Sequence, residues 1–266
     1  LLFFLVRDMF DSSSAGLAAS FLFAVSGYVL RYNYESDTTA FFFGLLSIYF
    51  FFHALKDDPR WMYLASFSLA LSVLIKNITL LFVPSYIIVW LWYNIKHKQF
   101  HVHSPLGRLF HWRLVRAALV GLLISILVVS PVLIYNHLLY KDKGITDYYF
   151  SNVLGWGETV HKGLEGKPWS LQTLRVVAAA KVHQFLSFDA PLFILGILGL
   201  FFGFRKNKYG AALILWAWLV FTIYIFGQTS SNSHYGWTII TLCIFAGCFA
   251  DALHSRLTFW MPNLRY

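Results

Sequence analysis

The 266-residue chain is 58% hydrophobic and 20% aromatic, carries only 12% charged residues, and has a formal net charge of +9. A soluble domain has about one charged residue in four, so this composition, with a mean hydropathy of +0.62, excludes a soluble globular enzyme and points to a chain that crosses a membrane several times. The basic residues sit between apolar runs, which suits anionic lipid head groups and not the continuous basic face of a nucleic-acid binder, so no nucleic-acid partner is expected.

Spanning a bilayer takes roughly 20 apolar residues per helix. The apolar runs are continuous and do not alternate, so helices are expected and barrel strands are not. Residues 1–6, LLFFLV, are too short to span and lack the charged leader and cleavage site of a signal peptide. They read as the tail of a helix whose beginning is missing, and the sequence is expected to be a fragment. After a polar turn at Arg7, Asp8 and Asp11, residues 14–30 form a span, with residues 12–14 offering an N-cap. Residues 31–37 turn, 38–55 span, 56–60 turn and 61–75 span back. Residues 78–95 follow almost at once, with a kink expected at Pro84. Residues 96–116 form a loop rich in Lys, Arg and His, and 117–139 span, with Pro131 inside. Residues 140–185 are long and polar; 190–204, 211–226 and 237–253 span, separated by turns at 205–208 and 227–234. The expected fold is all-α, a multi-pass transmembrane helix bundle of about eight spans plus a partial first one. The whole of 1–266 is one partial transmembrane domain, with 140–185 as an extracytoplasmic loop within it.

Lys and Arg in short loops set orientation. Lys96, Lys98, Arg108, Arg113 and Arg116 fall in one loop, Arg205, Lys206 and Lys208 in a second, Arg256 and Arg265 in the tail. Placing all three in the cytoplasm puts residues 31–37, Lys76, Asn77, the 140–185 loop and 227–234 on the outer face. The organising stretch is therefore the hairpin 31–77, which opens at Glu35 and Asp37 and closes at Lys76 and Asn77. Antiparallel spans bring Asp37 and Lys76 to one membrane face, and ionisable groups at that depth are costly enough to suggest function. Their ordinary alternatives stay open: Ser36-Asp37 is a good N-cap, and Lys snorkels to the interface. The long loop adds Asp147, Trp156, Glu158, His161, Lys162, Glu165, Lys167, Trp169, Arg175, Lys181, His183 and Asp189 to that face. Aromatics there can lie at head-group level or stack on sugar, bases can hold phosphate, and carboxylates can serve as acid or base or hold a divalent metal. Alternatively, 171–188 is an amphipathic helix lying on the membrane.

Other signals are weaker. His97, His101, His103 and His111 lack an accompanying carboxylate or Cys, so a basic interfacial loop outweighs a metal site there. Asn77-Ile78-Thr79 matches a glycosylation sequon at a position too close to the membrane for modification. Cys243 and Cys248 read as packing thiols, and Gly16, Gly27 and Gly44 as helix contacts.

The hairpin SDTTAFFFGLLSIYFFF, KDDPRW, LASFSLALSVLIKN resembles the polytopic glycosyltransferases of the GT-C fold. The likeness is to the dolichyl-phosphate-mannose protein mannosyltransferase and aminoarabinose transferase-like group. SHYGWTIITLCIFAGCFADAL is similar to that group's late His-Tyr before a span, and Gly-Lys-Pro-Trp followed by APLFILGILGLFFGFRKNK to its outer loop and next span. The resemblance implies an enzyme that moves a sugar from a polyprenyl-phosphate donor to a protein, lipid or glycan acceptor on the outer or lumenal face of a plasma or endoplasmic reticulum membrane. It implies that Asp37 and Glu35 are acidic site residues, Lys76 a contact for the donor phosphate, and His234, Tyr235, Trp169 and Lys167 part of the substrate cavity. The family's first-loop carboxylate, its general base, would precede Leu1 and be absent here. Asn77 replaces the Gly common after that Lys, and the late loop SSNS lacks the basic residue often found before the Tyr. No cofactor is implied with certainty, a divalent metal being the candidate. A transporter or flippase subunit is the alternative, and it predicts paired ionisable groups deep in the spans.

Overall fold

A computed structural model describes residues 1–26, 37–96, 112–147, 150–151, 158–159, 170–228 and 236–260. The helices are α1 (Leu2–Phe10), α2 (Ser13–Val25), α3 (Asp37–Lys56), α4 (Trp61–Ile75), α5 (Val83–Lys96), α6 (Trp112–Lys143), α7 (Leu171–Lys206), α8 (Lys208–Gln228) and α9 (Gly236–Trp260). A 3-10 turn, Asn77–Phe82, joins α4 to α5, and the short strands β1 (Ile145–Thr146) and β2 (Glu158–Thr159) pair in parallel.

The all-α expectation holds apart from that two-residue pairing. Helices occupy the positions of the expected spans, with differing lengths. Among the described residues, three helices are long and apolar enough to cross a membrane, or four if the bent α7 is one span. The chain is an integral membrane protein, but α2 and α4 have 13 and 15 residues. At 1.5 Å per residue these are about 20 to 23 Å long, short of a bilayer core of about 30 Å.

Local chemistry explains the boundaries. Asp11 ends α1 in the left-handed conformation (φ 52°), which Asp tolerates better than most residues. Ser12 caps α2 by accepting the Ala15 N–H at 3.1 Å. Pro84 does not kink a helix. It sits in the first turn of α5, where its missing N–H would have had no partner. α6 extends beyond the expected 117–139 at both ends, taking in Arg113, Arg116, Lys141 and Lys143. Pro131 inside it cannot donate to the Leu127 carbonyl, and the Ser130 hydroxyl does so at 2.7 Å. α7 covers residues 171–185 of the expected loop, capped by Ser170, whose hydroxyl accepts the Thr173 N–H at 3.0 Å. It breaks at Asp189 (φ −140°, ψ 46°) and bends by 112°. Pro191 lacks a donor and clashes with the carbonyl four residues back, so the helix restarts there.

α9 lies at the centre, buried between α2 and α7. α8 packs on α7 and α5; α3 pairs with α4, which carries α6 on its other side. Helix approach is governed by small residues, as the expectation for Gly16 and Gly44 had it. A Cβ on Gly16 would come 2.8 Å from the Phe3 carbonyl oxygen, and one on Gly44 2.6 Å from the Phe82 ring. Gly196 and Gly199 of α7 press on Leu242 and Phe245 of α9. Cys243 and Cys248 are buried and free, as packing thiols are.

Candidate functional site

The hairpin register is fixed by two hydroxyls. Ser47 of α3 donates to the Ala65 carbonyl at 2.8 Å, and Ser72 of α4 donates to the Ala40 carbonyl at 2.6 Å. Carried one turn on, this antiparallel register sets the backbone of Asp37, first residue of α3, opposite Ile75. Lys76 follows as the C-cap of α4 in an extended conformation (φ −150°, ψ 104°). Its N–H donates to the Ser72 carbonyl at 2.9 Å, and its own carbonyl accepts the Thr79 N–H and hydroxyl at 3.1 and 3.0 Å. The helix end bearing Lys76 is thus pinned, and the lysine is half-buried.

An aromatic cluster gathers further helix ends around this one. Phe82, at the end of the 3-10 turn, lies 4.6 Å from Trp237 and 6.2 Å from Phe221, ring centre to ring centre. Phe41, one turn into α3, is 5.7 Å from Phe221 and 6.1 Å from Trp237. All four side chains are buried. A Cβ on Gly236 would meet the Phe41 ring at 3.2 Å, so α9 starts directly against the first turn of α3. The cluster therefore brings together the backbones of Asp37, Lys76 and the start of α9, which follows His234-Tyr235 in the chain. The break in α7 stands at the same end, because Gly196 and Gly199 meet Leu242 and Phe245 in a parallel register. There Ser26, the C-cap of α2, donates to Asp189 at 2.9 Å.

Of the sequence-predicted residues, the structure brings together the backbones of Asp37 and Lys76. Glu35, His234, Tyr235, Trp169 and Lys167 lie outside the described residues, as do His97, His101, His103 and His111. Asp189 was visible only as one of many polar residues in the loop. The signal that could have singled it out is Asp-Ala-Pro before an apolar run, a helix start with an acidic residue at its head. Among the described residues no three His, Cys, Asp or Glu side chains are grouped to share a metal ion.

The opposite end of the bundle carries two other polar networks. Asp251 of α9 pairs with Lys206 and accepts the hydroxyls of Ser12 (2.8 Å) and Ser14. Asp8 accepts Arg7 Nε at 2.6 Å and the Tyr49 hydroxyl at 2.9 Å, near His53, which also pairs with Asp57. The hydrogen bond from Arg7 holds the Asp8 carboxyl below the usual carboxylate range, against the opposing effect of burial.

Long apolar helices gather helix ends, a lysine and carboxylate-bearing segments at one end of an integral membrane protein. Residues 1–135, from α1 to within α6 and including the whole hairpin, match the family model described as dolichyl-phosphate-mannose-protein mannosyltransferase. The chain belongs to that family, and with it to the membrane glycosyltransferases that use polyprenyl-phosphate sugars. No curated protein and no solved structure matches the chain.

Proposed function

We propose that the chain is a GT-C-type glycosyltransferase whose donor phosphate is bound at the end of the bundle marked by Asp37 and Lys76, on the outer or lumenal face. The observation that supports this most is the hairpin register, which sets the first residue of α3 opposite the end of α4 within the segment matched to the family. In the reaction, the bond between the sugar's anomeric carbon and the donor phosphate oxygen breaks. An acceptor oxygen bonds to that carbon and gives its proton to a base, and polyprenyl phosphate departs with the electron pair. Negative charge grows on the departing phosphate, so a fixed cation lowers the barrier, and Lys76 is assigned that role. Asp37 and Glu35 are the acidic site residues; either orients the acceptor or takes its proton. His234, Tyr235, Trp169 and Lys167 are assigned to the walls of the substrate cavity, with Asp189 at its edge. For a divalent cation in the reaction, Glu35 and Asp37 are the carboxylates assigned.

The test is transfer of radiolabelled sugar from polyprenyl phosphate to acceptor in membranes holding the full-length protein. Lys76→Ala is expected to lower kcat by about 100-fold, the size of losing one charge-stabilising donor, and Lys76→Arg to recover part of it. Asp37→Asn is expected to lower transfer by at least about tenfold. Undiminished transfer in Lys76→Ala and Asp37→Asn would overturn the assignment. Solute flux in proteoliposomes without sugar transfer would favour the transporter reading instead.

A further inference from the structure

A second site lies at the other end of the bundle, away from Asp37 and Lys76. Asp57, Asp58, Pro59, Arg60 and Tyr63, from the turn and first residues of α4, face Arg113, Arg116 and Ala117 of α6 across a cavity of about 660 Å³. Both carboxylates have partners within their own turn. Asp57 pairs with His53, while Asp58 accepts the Arg60 N–H at 2.9 Å and stands 3.9 Å from Arg60 Nε. No salt bridge neutralises Arg113 or Arg116 among the described residues, and both are exposed. The cavity is therefore a basic recess, suited to a phosphate held by guanidinium forks.

The surface beyond the recess identifies the source of that phosphate. Arg116, Leu119, Leu123 and Leu127 recur at helical spacing along one face of α6, and the three leucines are 54%, 60% and 71% exposed. On α4, Leu64 and Phe67 follow Arg60 in the same way and are also exposed. The two helices run in parallel, joined where Gly121 meets Ser66 and where the Ser125 hydroxyl donates to the Ser66 carbonyl at 3.2 Å. Each helix thus carries an arginine-headed apolar stripe on the face turned away from the α4–α6 contact. α6 is the most hydropathic span and the least buried, so its stripe faces acyl chains. A soluble phosphate would occupy the recess alone; only a lipid uses both features.

We propose that this recess binds the phosphodiester head group of an anionic glycerophospholipid, with Arg113 and Arg116 on the phosphate, Arg60 and Tyr63 at its margin, and the acyl chains along the α6 stripe. The experiment is native mass spectrometry of the full-length protein released from vesicles of equal parts phosphatidylglycerol and phosphatidylcholine. Wild type is expected to retain phosphatidylglycerol preferentially. Each of Arg113→Gln and Arg116→Gln is expected to lower that preference about fivefold, the share of one basic residue near an anionic surface. Leu123→Gln is expected to weaken retention of both lipids while leaving the preference unchanged. Unchanged preference in the double arginine variant would overturn the site. Displacement of bound lipid by millimolar glycerol 3-phosphate, or selective retention of polyprenyl phosphate in its place, would overturn the choice of a glycerophospholipid.

Discussion

Gly199 is the position where the packing around α9 is least forgiving. A Cβ added there overlaps the carbonyl group of Phe245 and comes 3.1 Å from the Ala246 nitrogen. These are backbone atoms with no side chain to swing aside, so Gly199→Ala forces α7 and α9 apart. Overpacking a core costs about 1–3 kcal/mol, and a collision confined to backbone belongs at the upper end. A loss of about 3 kcal/mol lowers the folded-to-unfolded ratio more than a hundredfold, at about 1.4 kcal/mol per factor of ten. At about 2–4 °C per kcal/mol for a chain of this size class, the midpoint falls by roughly 6–12 °C. Cys243 and Cys248 are the chain's two cysteines, both buried on α9 beside the contact, so a fluorogenic maleimide followed during heating in detergent reports the opening of this interface. Gly236→Ala is the internal control. There the Cβ meets only the edge of the Phe41 ring, at 3.2 and 3.4 Å, and a small ring movement relieves it at a cost of under about 1 kcal/mol. A Gly199→Ala midpoint equal to that of wild type, or above that of Gly236→Ala, would refute the close α7–α9 approach and with it the placement of Asp189 near the start of α9.

Three further outcomes follow from particular contacts. Asp251→Ala strips Lys206 of its partner and Ser12 and Ser14 of their acceptor, and is expected to cost about 3 kcal/mol, the lower end for breaking a buried pair. Lys206→Met combined with Asp251→Leu should recover most of this in the same thiol assay, and equal losses in the single and double variants would count against the pair. Ser130→Ala leaves the Leu127 carbonyl without a donor in a lipid-facing stretch and is expected to cost about 1 kcal/mol. Adding Pro131→Ala restores a backbone N–H, so the double variant should be more stable than Ser130→Ala alone. For Asp8, Arg7 keeps the folded carboxyl below its ordinary range. Its stabilising contribution is therefore present above the unfolded pKa near 3.8 and is lost as pH falls through the folded value. Thermal midpoints of wild type and Asp8→Asn, measured between pH 7 and pH 3, should converge in acid, and a constant gap would show that Asp8 contributes through something other than its charge.

How much of this was legible in the sequence depended on how local its cause was. α4 runs over Trp61–Ile75 as expected, because the Asp-Asp-Pro-Arg turn before it and the Lys-Asn after it are local signals. The ends of α6 were misplaced because charge was read as loop. Arg and Lys are strong helix formers, so Arg113 and Lys143 end the apolar window without ending the helix. The first half of α7 was assigned mainly to a loop because its apolar residues are interrupted by Arg175, Lys181 and His183; the alternative of an amphipathic helix over 171–188 was nearer. The pairing of Asp37 with the Lys76 end was legible, since an antiparallel hairpin of two nearly equal runs admits no other arrangement. The approach of α9 and of the α7 break to that end was not. It rests on Gly196, Gly199, Gly236 and the Phe41, Phe82, Phe221 and Trp237 cluster, contacts between residues far apart in sequence that leave no period to detect.

The same contacts hold polar groups together at this end of the bundle. Every helix end leaves backbone groups without intrahelical partners, and in hydrocarbon each such group is costly unless something satisfies it. Here the C-cap of α2, the start of α3, the C-cap of α4, the break in α7 and the start of α9 come to one end. Part of the cost is offset locally, by Thr79 on the Lys76 carbonyl and by Ser26 on Asp189. The buried aromatic cluster beneath holds these ends in register, since its four rings come from α3, the 3-10 turn, α8 and α9. A bundle of uninterrupted spans would present only side chains to a phosphate. This one gathers helix ends and the Lys76 C-cap of α4 at one end, and the reaction proposed for it needs that combination.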